Sequence, residues 1–283
     1  MITLYAIPWY QCNLHCPHCN VVDKYSVDQG DYQKFKESLF YFKNTFPDSN
    51  IVFWGGEPLY YAHYFFDLMK TGVFSSVSSN LINYTYNVGE ILARANVSVA
   101  TSWNKTRFNH SQYLCWLNAC KMLIEEHGVN PLLLITLTPD LVYSDPRDMV
   151  NTLSHIHRNT GIQSFLFEHF ITDDAVLARQ INAQADDWLC AFFDNYQIMS
   201  RLTELPKDFK LIEKLRNWNC DCTQTFTLEP SGELRRGCPQ LHDVFVPSEC
   251  FTCELQSSCR PCRIQPACSY PKKFAAKLGI HLL

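Results

Sequence analysis

Six apolar, β-branched or aromatic runs lie at residues 2–7, 51–54, 73–79, 97–102, 132–137 and 164–170. Helix-like segments separate them at 33–46, 61–70, 88–95, 111–127 and 146–158, and a sixth at 182–201 closes the series. Strands that alternate with helices in this way predict an α/β fold with a parallel sheet and right-handed crossovers. Chemistry in such folds gathers at the C-terminal ends of the strands. Residues 202–219 read as a polar connection with helical content, and beyond them cysteine spacing replaces periodicity as the organising signal. The expected division is therefore a first domain over 1–201 and a small second one over 202–283. At 283 residues and 47% hydrophobic composition the chain can bury a sizeable core and is neither disordered nor fibrous. There is no internal repeat and no low-complexity tract.

Fourteen cysteines are the second constraint. The first eight residues lack a basic segment and a long apolar stretch, and no apolar run reaches the roughly 18–20 residues that span a bilayer. A cytoplasmic location, with no membrane partner, is expected, and thiols stay reduced there. The net charge of −4 argues against nucleic acid as a partner. Disulfides are thus a poor explanation for so many cysteines. Cys115, Cys120 and Cys190 lie singly in apolar, helix-like surroundings and read as small hydrophobes of the core. The remaining eleven have the spacing of metal ligands.

Cys12-Asn13-Leu14-His15-Cys16-Pro17-His18-Cys19 is a C-x₃-C-x₂-C loop directly after the first strand. Three thiolates so close together can wrap one soft metal centre, an iron–sulfur cluster or a zinc completed by His15 or His18. On a cubane cluster of four irons, three cysteines leave one iron for a small molecule to chelate. Cys220, Cys222, Cys238, Cys250, Cys253, Cys259, Cys262 and Cys268 crowd the C-terminal part. Eight thiolates complete two four-cysteine clusters with none left over, or one or two structural zincs.

The first loop resembles the signature of the radical S-adenosylmethionine (SAM) enzymes, in which it follows the first strand of a partial (β/α)₆, TIM-like barrel. His18 falls where that family usually has an aromatic residue. The second strand runs into Trp54-Gly55-Gly56-Glu57-Pro58, which matches the family's GGEP segment, whose role there is to bind the amino group of SAM. Ser78-Ser79-Asn80 ends the third strand, where the family often has a Ser/Thr-Asn pair near SAM. Thr101-Ser102-Trp103-Asn104 ends the fourth and resembles a Ser-x-Asp segment with Asn in place of Asp, with Ser102 toward the SAM carboxylate or ribose. The resemblance implies SAM-binding roles for His18, Gly55, Gly56, Glu57, Pro58, Ser79, Asn80 and Ser102. Thr136 and Thr138 on the fifth strand are weaker matches.

The C-terminal eight resemble the SPASM extension of radical SAM enzymes that act on peptides, which carries two auxiliary 4Fe-4S clusters. Gly232 precedes Cys238 with five residues between them instead of the family's four, and Cys259-x₂-Cys262 is one residue shorter than the family's pair. Carried over, the pattern assigns Cys220, Cys222, Cys238 and Cys262 to one cluster, and Cys250, Cys253, Cys259 and Cys268 to the other. Three 4Fe-4S clusters and SAM are then the cofactors. The implied chemistry is a 5′-deoxyadenosyl radical that abstracts a hydrogen atom, fed by an external donor such as flavodoxin or ferredoxin.

The expected substrate is a residue of a ribosomally made precursor peptide. Because the first strand begins at residue 2, no leader-binding domain is expected ahead of it, and a separate small recognition protein is expected as partner. The alternatives are a small-molecule radical SAM dehydrogenase and, from another class, a non-catalytic zinc-binding interaction module. Glu168 and His169, which end the sixth strand, are candidates for substrate contact, beside the reading as ordinary surface residues. Arg235-Arg236 before Cys238 read as a solvated turn or as partners for a carboxylate, and Trp54 and Trp103 as core or pocket lining.

Overall fold

In the computed structural model residues 2–17, 19, 30–169, 175–199 and 225–236 are described. The alternation expected from periodicity is realised. Strands β1 (Thr3–Ala6), β2 (Asn50–Phe53), β3 (Ser76–Ser79), β4 (Ser98–Trp103), β5 (Leu132–Leu137) and β6 (Ser164–His169) run in sequence order, each parallel to the next. Between them lie α1 (Tyr32–Thr45), α2 (Ala62–Met69), α3 (Tyr86–Arg94), α4 (His110–Glu125), the short α5 (Pro139–Val142) and α6 (Pro146–Thr160), and α7 (Ala175–Met199) follows β6. Helix starts follow local chemistry. The Asp31 carboxylate caps α1, Asn109 and Gln112 form a capping box on α4, and Asp145 with Pro146 opens α6.

One face of the sheet is dry. Alternate strand residues such as Leu4, Phe53, Val77, Val99, Ile135 and Phe165 form a single buried cluster with Leu39, Phe65, Leu92, Trp116, Leu153 and Phe192 of the helices. All the described helices therefore cover the same face, which is singly wound topology. The opposite parity is mostly half-buried and carries many small or polar residues, among them Ser76, Ser78, Ala100, Ser102, Thr136 and Glu168, although Leu166 on it is buried. Ser78 pairs with Ala100 and Thr136 with Glu168 across the ladder, so these residues share the opposite face, helix-free among the described residues.

Periodicity did not foresee two strands. β7 (Thr225–Leu228) adds to the free side of β1 in parallel register, Leu4 opposite Phe226, and β8 (Leu234–Arg236) returns antiparallel to it. A four-residue strand paired with a segment more than 200 positions earlier leaves no local pattern. The hairpin turn rests on α1, where the Ser38 hydroxyl donates to the Gly232 carbonyl at 2.7 Å. Buried Glu229, just after β7, accepts hydrogen bonds from the Tyr10 hydroxyl and the Arg235 guanidinium. Arg235, read as a turn residue or a carboxylate partner, thus pairs inside the protein.

The middle cysteines divide. Cys120 is fully buried and Cys190 partly, but Cys115 is exposed. The buried face of α4 is Trp116, Leu117, Ala119, Cys120 and Leu123, and a position five residues before Cys120 falls outside that stripe. Among the described residues no helix is long and apolar enough to cross a membrane.

Candidate metal centre

After β1 the chain crosses the C-terminal end of the sheet and carries the three cysteines with it. Its backbone is stitched to the segment after β2. The Trp54 amide donates to Ala6, Gly56 to Trp9 at 3.2 Å and Glu57 to Gln11 at 2.8 Å, while the Trp9 indole donates to the Glu57 carbonyl at 2.7 Å. Gly55 and Gly56 make this approach feasible. Gly55 has φ +136, and a Cβ there would stand 2.8 Å from the Trp9 carbonyl oxygen. A Cβ on Gly56 would lie well inside contact distance of the Tyr10 and Gln11 carbonyls. The backbone that needs the two glycines is thus the cysteine loop's own, a use the sequence reading did not assign to them.

Glu57 is 1% exposed, a burial tolerable only when its carboxylate is hydrogen-bonded. It is: the Ser79 hydroxyl donates at 2.6 Å, the Asn80 amide at 2.7 Å and the Leu59 amide at 2.9 Å. Burial raises the Glu57 carboxyl above its ordinary range, opposed by those three bonds and by the Arg107 charge. The Glu57 side chain is therefore a strut between the loops after β2 and β3, and it is fully engaged within the protein. The Asn80 carboxamide extends the strut to the cysteine loop, donating to the Asn13 carbonyl at 2.7 Å and toward the Cys12 sulfur at 3.7 Å.

Cys16 is buried, and Cys12 and Cys19 are partly so. Burial pushes the Cys12 thiol up to about 11 and raises Cys16 as well, while the Arg107 guanidinium pulls both down. Among the described residues no three His, Cys, Asp or Glu side chains converge on a single-ion site. His15 is exposed, and His18 lies outside the described residues. The Leu14 amide donates to the Cys12 sulfur at 3.4 Å, and Leu14 itself is buried and anchors the loop.

Arg107 escaped the sequence reading. Its charge acts on Cys12, Cys16 and Glu57, and its buried Nε has no hydrogen-bond partner among the described residues. Asn104 shapes the turn that carries it. The Asn104 carbonyl oxygens accept from the Thr106 amide at 3.1 Å and the Arg107 amide at 3.1 Å, and its Nδ2 donates to the Thr138 hydroxyl at 2.9 Å. Asn104, at the aligned position of the Ser-x-Asp segment, was the available signal, three residues upstream. Gln11, beside Cys12, has a buried and equally unpartnered Oε1.

The other expected residues sort by strand parity. Ser102, Thr136 and Glu168 stand on the helix-free face, whereas Thr101 faces the helices and accepts from the Trp116 indole at 2.9 Å. Pro58 is buried, and Trp54 and Trp103 are partly buried. His169 ends β6, although its side chain lies outside the described residues, as does that of Arg236. Cys220, Cys222, Cys238, Cys250, Cys253, Cys259, Cys262 and Cys268 lie outside them too.

No family model and no curated protein matches the sequence. Solved structures do match the fold. Native anSMEcpe with bound AdoMet superposes with a TM-score of 0.64 at 16% identity, covering 97% of this chain and 95% of that one. The chain shares this enzyme's fold. SuiB of Streptococcus suis matches with a TM-score of 0.57 at 13% identity over 90% of this chain and 64% of its own length. SuiB bound to its precursor peptide SuiA gives 0.55 at 13% over 85% and 60%. One neighbour thus holds AdoMet, in another structure together with a Cp18Cys peptide, and the other holds a precursor peptide.

Proposed function

We propose that the chain is a radical SAM enzyme that oxidatively modifies a residue of a ribosomally made precursor peptide. The observation that carries this reading is the cysteine loop packed on Gly55-Gly56-Glu57 at the C-terminal end of the parallel sheet. Its support from similarity is fold-level: one neighbour holds AdoMet and the other a precursor peptide.

The residues fit the implied cofactors. Three soft ligands on one loop suit a polynuclear centre whose irons each take one thiolate. Cysteine binds as the thiolate, and a cluster supplies the positive charge that keeps partly buried thiolates in place. An unpartnered buried donor, Arg107 Nε, and an unpartnered buried acceptor, Gln11 Oε1, flank the triplet. An amino acid moiety brings a carboxylate for the first and an ammonium group for the second. When bound, the cluster and SAM together supply a 5′-deoxyadenosyl radical for hydrogen abstraction.

Cys12, Cys16 and Cys19 would hold the cluster, and Gly55, Gly56 and Pro58 would shape the SAM pocket, with Glu57, Ser79 and Asn80 fixing its wall. His18 is assigned to the same pocket by its place in the loop. Arg107 would orient the SAM carboxylate, because a guanidinium offers it two parallel donors. Ser102, on the same face as Ser78 and Ala100, would meet the SAM carboxylate or ribose. Glu168 and His169, at the end of β6, are the proposed substrate contacts. The C-terminal eight cysteines would hold two further 4Fe-4S clusters in a small domain over 202–283, whose strands β7 and β8 extend the sheet of the first, and a flavodoxin or ferredoxin would deliver electrons. A separate small protein would present the leader peptide.

The test is anaerobic incubation of iron-loaded protein with SAM, reductant and candidate precursor peptides. The expected result is a peptide that loses hydrogen by mass spectrometry in step with 5′-deoxyadenosine formation. Turnover of a small alcohol with no change in any peptide would overturn the peptide assignment.

A further inference from the structure

Three asparagines join the cysteine loop to the loops after β2 and β3 in a closed ring. Asn80 Nδ2 donates to Asn13 Oδ1 at 2.7 Å, Asn13 Nδ2 to Asn83 Oδ1 at 3.1 Å, and Asn83 Nδ2 to the Leu59 carbonyl at 3.4 Å. Leu59 returns to Glu57, whose carboxylate accepts from the Asn80 amide. Asn80 is 1% exposed and has both side-chain polar groups engaged, since its Oδ1 also accepts from the Ile82 amide at 2.9 Å. Such a side chain cannot swing away from the loop to greet a ligand.

The backbone beside it is strained. Leu81, buried at 1% exposure, has φ +59, a left-handed conformation unusual for leucine. The Ser79 hydroxyl accepts from the Leu81 amide at 3.0 Å while donating to Glu57, which helps hold that turn. Strain of this kind persists only where surrounding contacts over-determine it, and it gathers at functional sites. The turn delivers one N–H of Asn80 to the Cys12 sulfur. With the Leu14 amide, that sulfur then accepts from two donors.

We propose that Asn80 is a positioning residue that holds Cys12 in its ligand geometry and raises the reduction potential of the triplet's cluster through its N–H···S bond. This rests on the cluster reading of the same loop. Reduction adds one negative charge, shared by the cysteine sulfurs, so donors to sulfur favour the reduced form. Asn13 fixes the direction of the Asn80 side-chain amide, Asn83 braces Asn13 from behind, and Glu57 fixes the Asn80 backbone.

The experiment is a redox titration of the iron-loaded protein followed by electron paramagnetic resonance, with the triplet's signal identified as the one missing in Cys16→Ala. Asn80→Leu removes the donor at similar volume, and Asn80→Asp removes it while keeping the acceptor for Ile82. Both should retain their iron and lower the equilibrium constant for reduction about tenfold, about 59 mV for one electron. Asn83→Ala, which leaves the Asn80–Cys12 contact in place, should move it by less than about threefold. An unchanged potential in both Asn80 variants with iron retained would overturn the tuning role. Loss of the triplet's iron from both, in a folded chain, would reduce Asn80 to a structural part and overturn it equally. Absence from the wild type of any signal that Cys16→Ala lacks would instead defeat the cluster reading itself.

Discussion

Gly56→Ala is expected to strip the N-terminal cluster from an otherwise folded chain. The added methyl meets the carbonyls of Tyr10 and Gln11, which are backbone and cannot rotate aside. The cysteine loop must lift, breaking the bonds from Gly56 to Trp9 and from Glu57 to Gln11 that align it. Overpacking of this sort costs about 1–3 kcal/mol, too little to unfold a core of this extent. The cluster is more sensitive, because its ligands tolerate only small displacements. Iron per chain should fall by about four, the content of one cubane cluster, and 5′-deoxyadenosine formation by about 100-fold or more. Circular dichroism should show the fold intact. A variant that keeps all of its iron and activity would mean that the loop does not depend on this close packing.

Arg107→Ala should weaken SAM binding while leaving the iron content unchanged. The guanidinium stands near Cys12, Cys16 and Glu57 with its buried Nε unpartnered among the described residues. A buried donor without an acceptor carries a cost that an incoming carboxylate removes, and charge-assisted pairs are the stronger hydrogen bonds. The expected rise in SAM dissociation constant is about 10- to 100-fold by equilibrium binding. Arg107→Lys keeps the charge but loses the planar fork, and should recover only part of it. Equal affinity in all three proteins would remove Arg107 from the SAM site. Loss of iron in Arg107→Ala would assign it to the cysteine loop instead.

Much of this architecture is legible in the sequence because it is encoded locally. The six parallel strands and the helices between them, except the short α5, follow from periodicity, and Leu132–Leu137 appears with the same bounds in both. Cys12, Cys16 and Cys19 declare themselves by spacing, and Gly55-Gly56-Glu57 by position after the second strand. What was missed depends on segments meeting in space. β7 is strand only because β1 lies alongside it. Arg107 matters because Asn104 and Thr138 shape its turn against a loop nearly a hundred residues earlier. Asn13 and Asn83 look like ordinary loop residues until the amide ring joins them. Even Glu57, recognised from its motif, has a side chain turned toward Ser79 and Asn80, a structural use that no motif discloses. Cys115 shows the reverse error, since apolar neighbours in sequence did not put it on the buried stripe of α4.

The central claim is that the N-terminal triplet supports reductive cleavage of SAM. Its most direct measurement is 5′-deoxyadenosine released when anaerobically iron-loaded protein is mixed with SAM and a strong reductant, wild type against Cys16→Ala. The wild type should form the product, and the variant, short of one of three ligands, should form none above background. No product from a wild type carrying its full iron, or equal product from both proteins, would contradict the account.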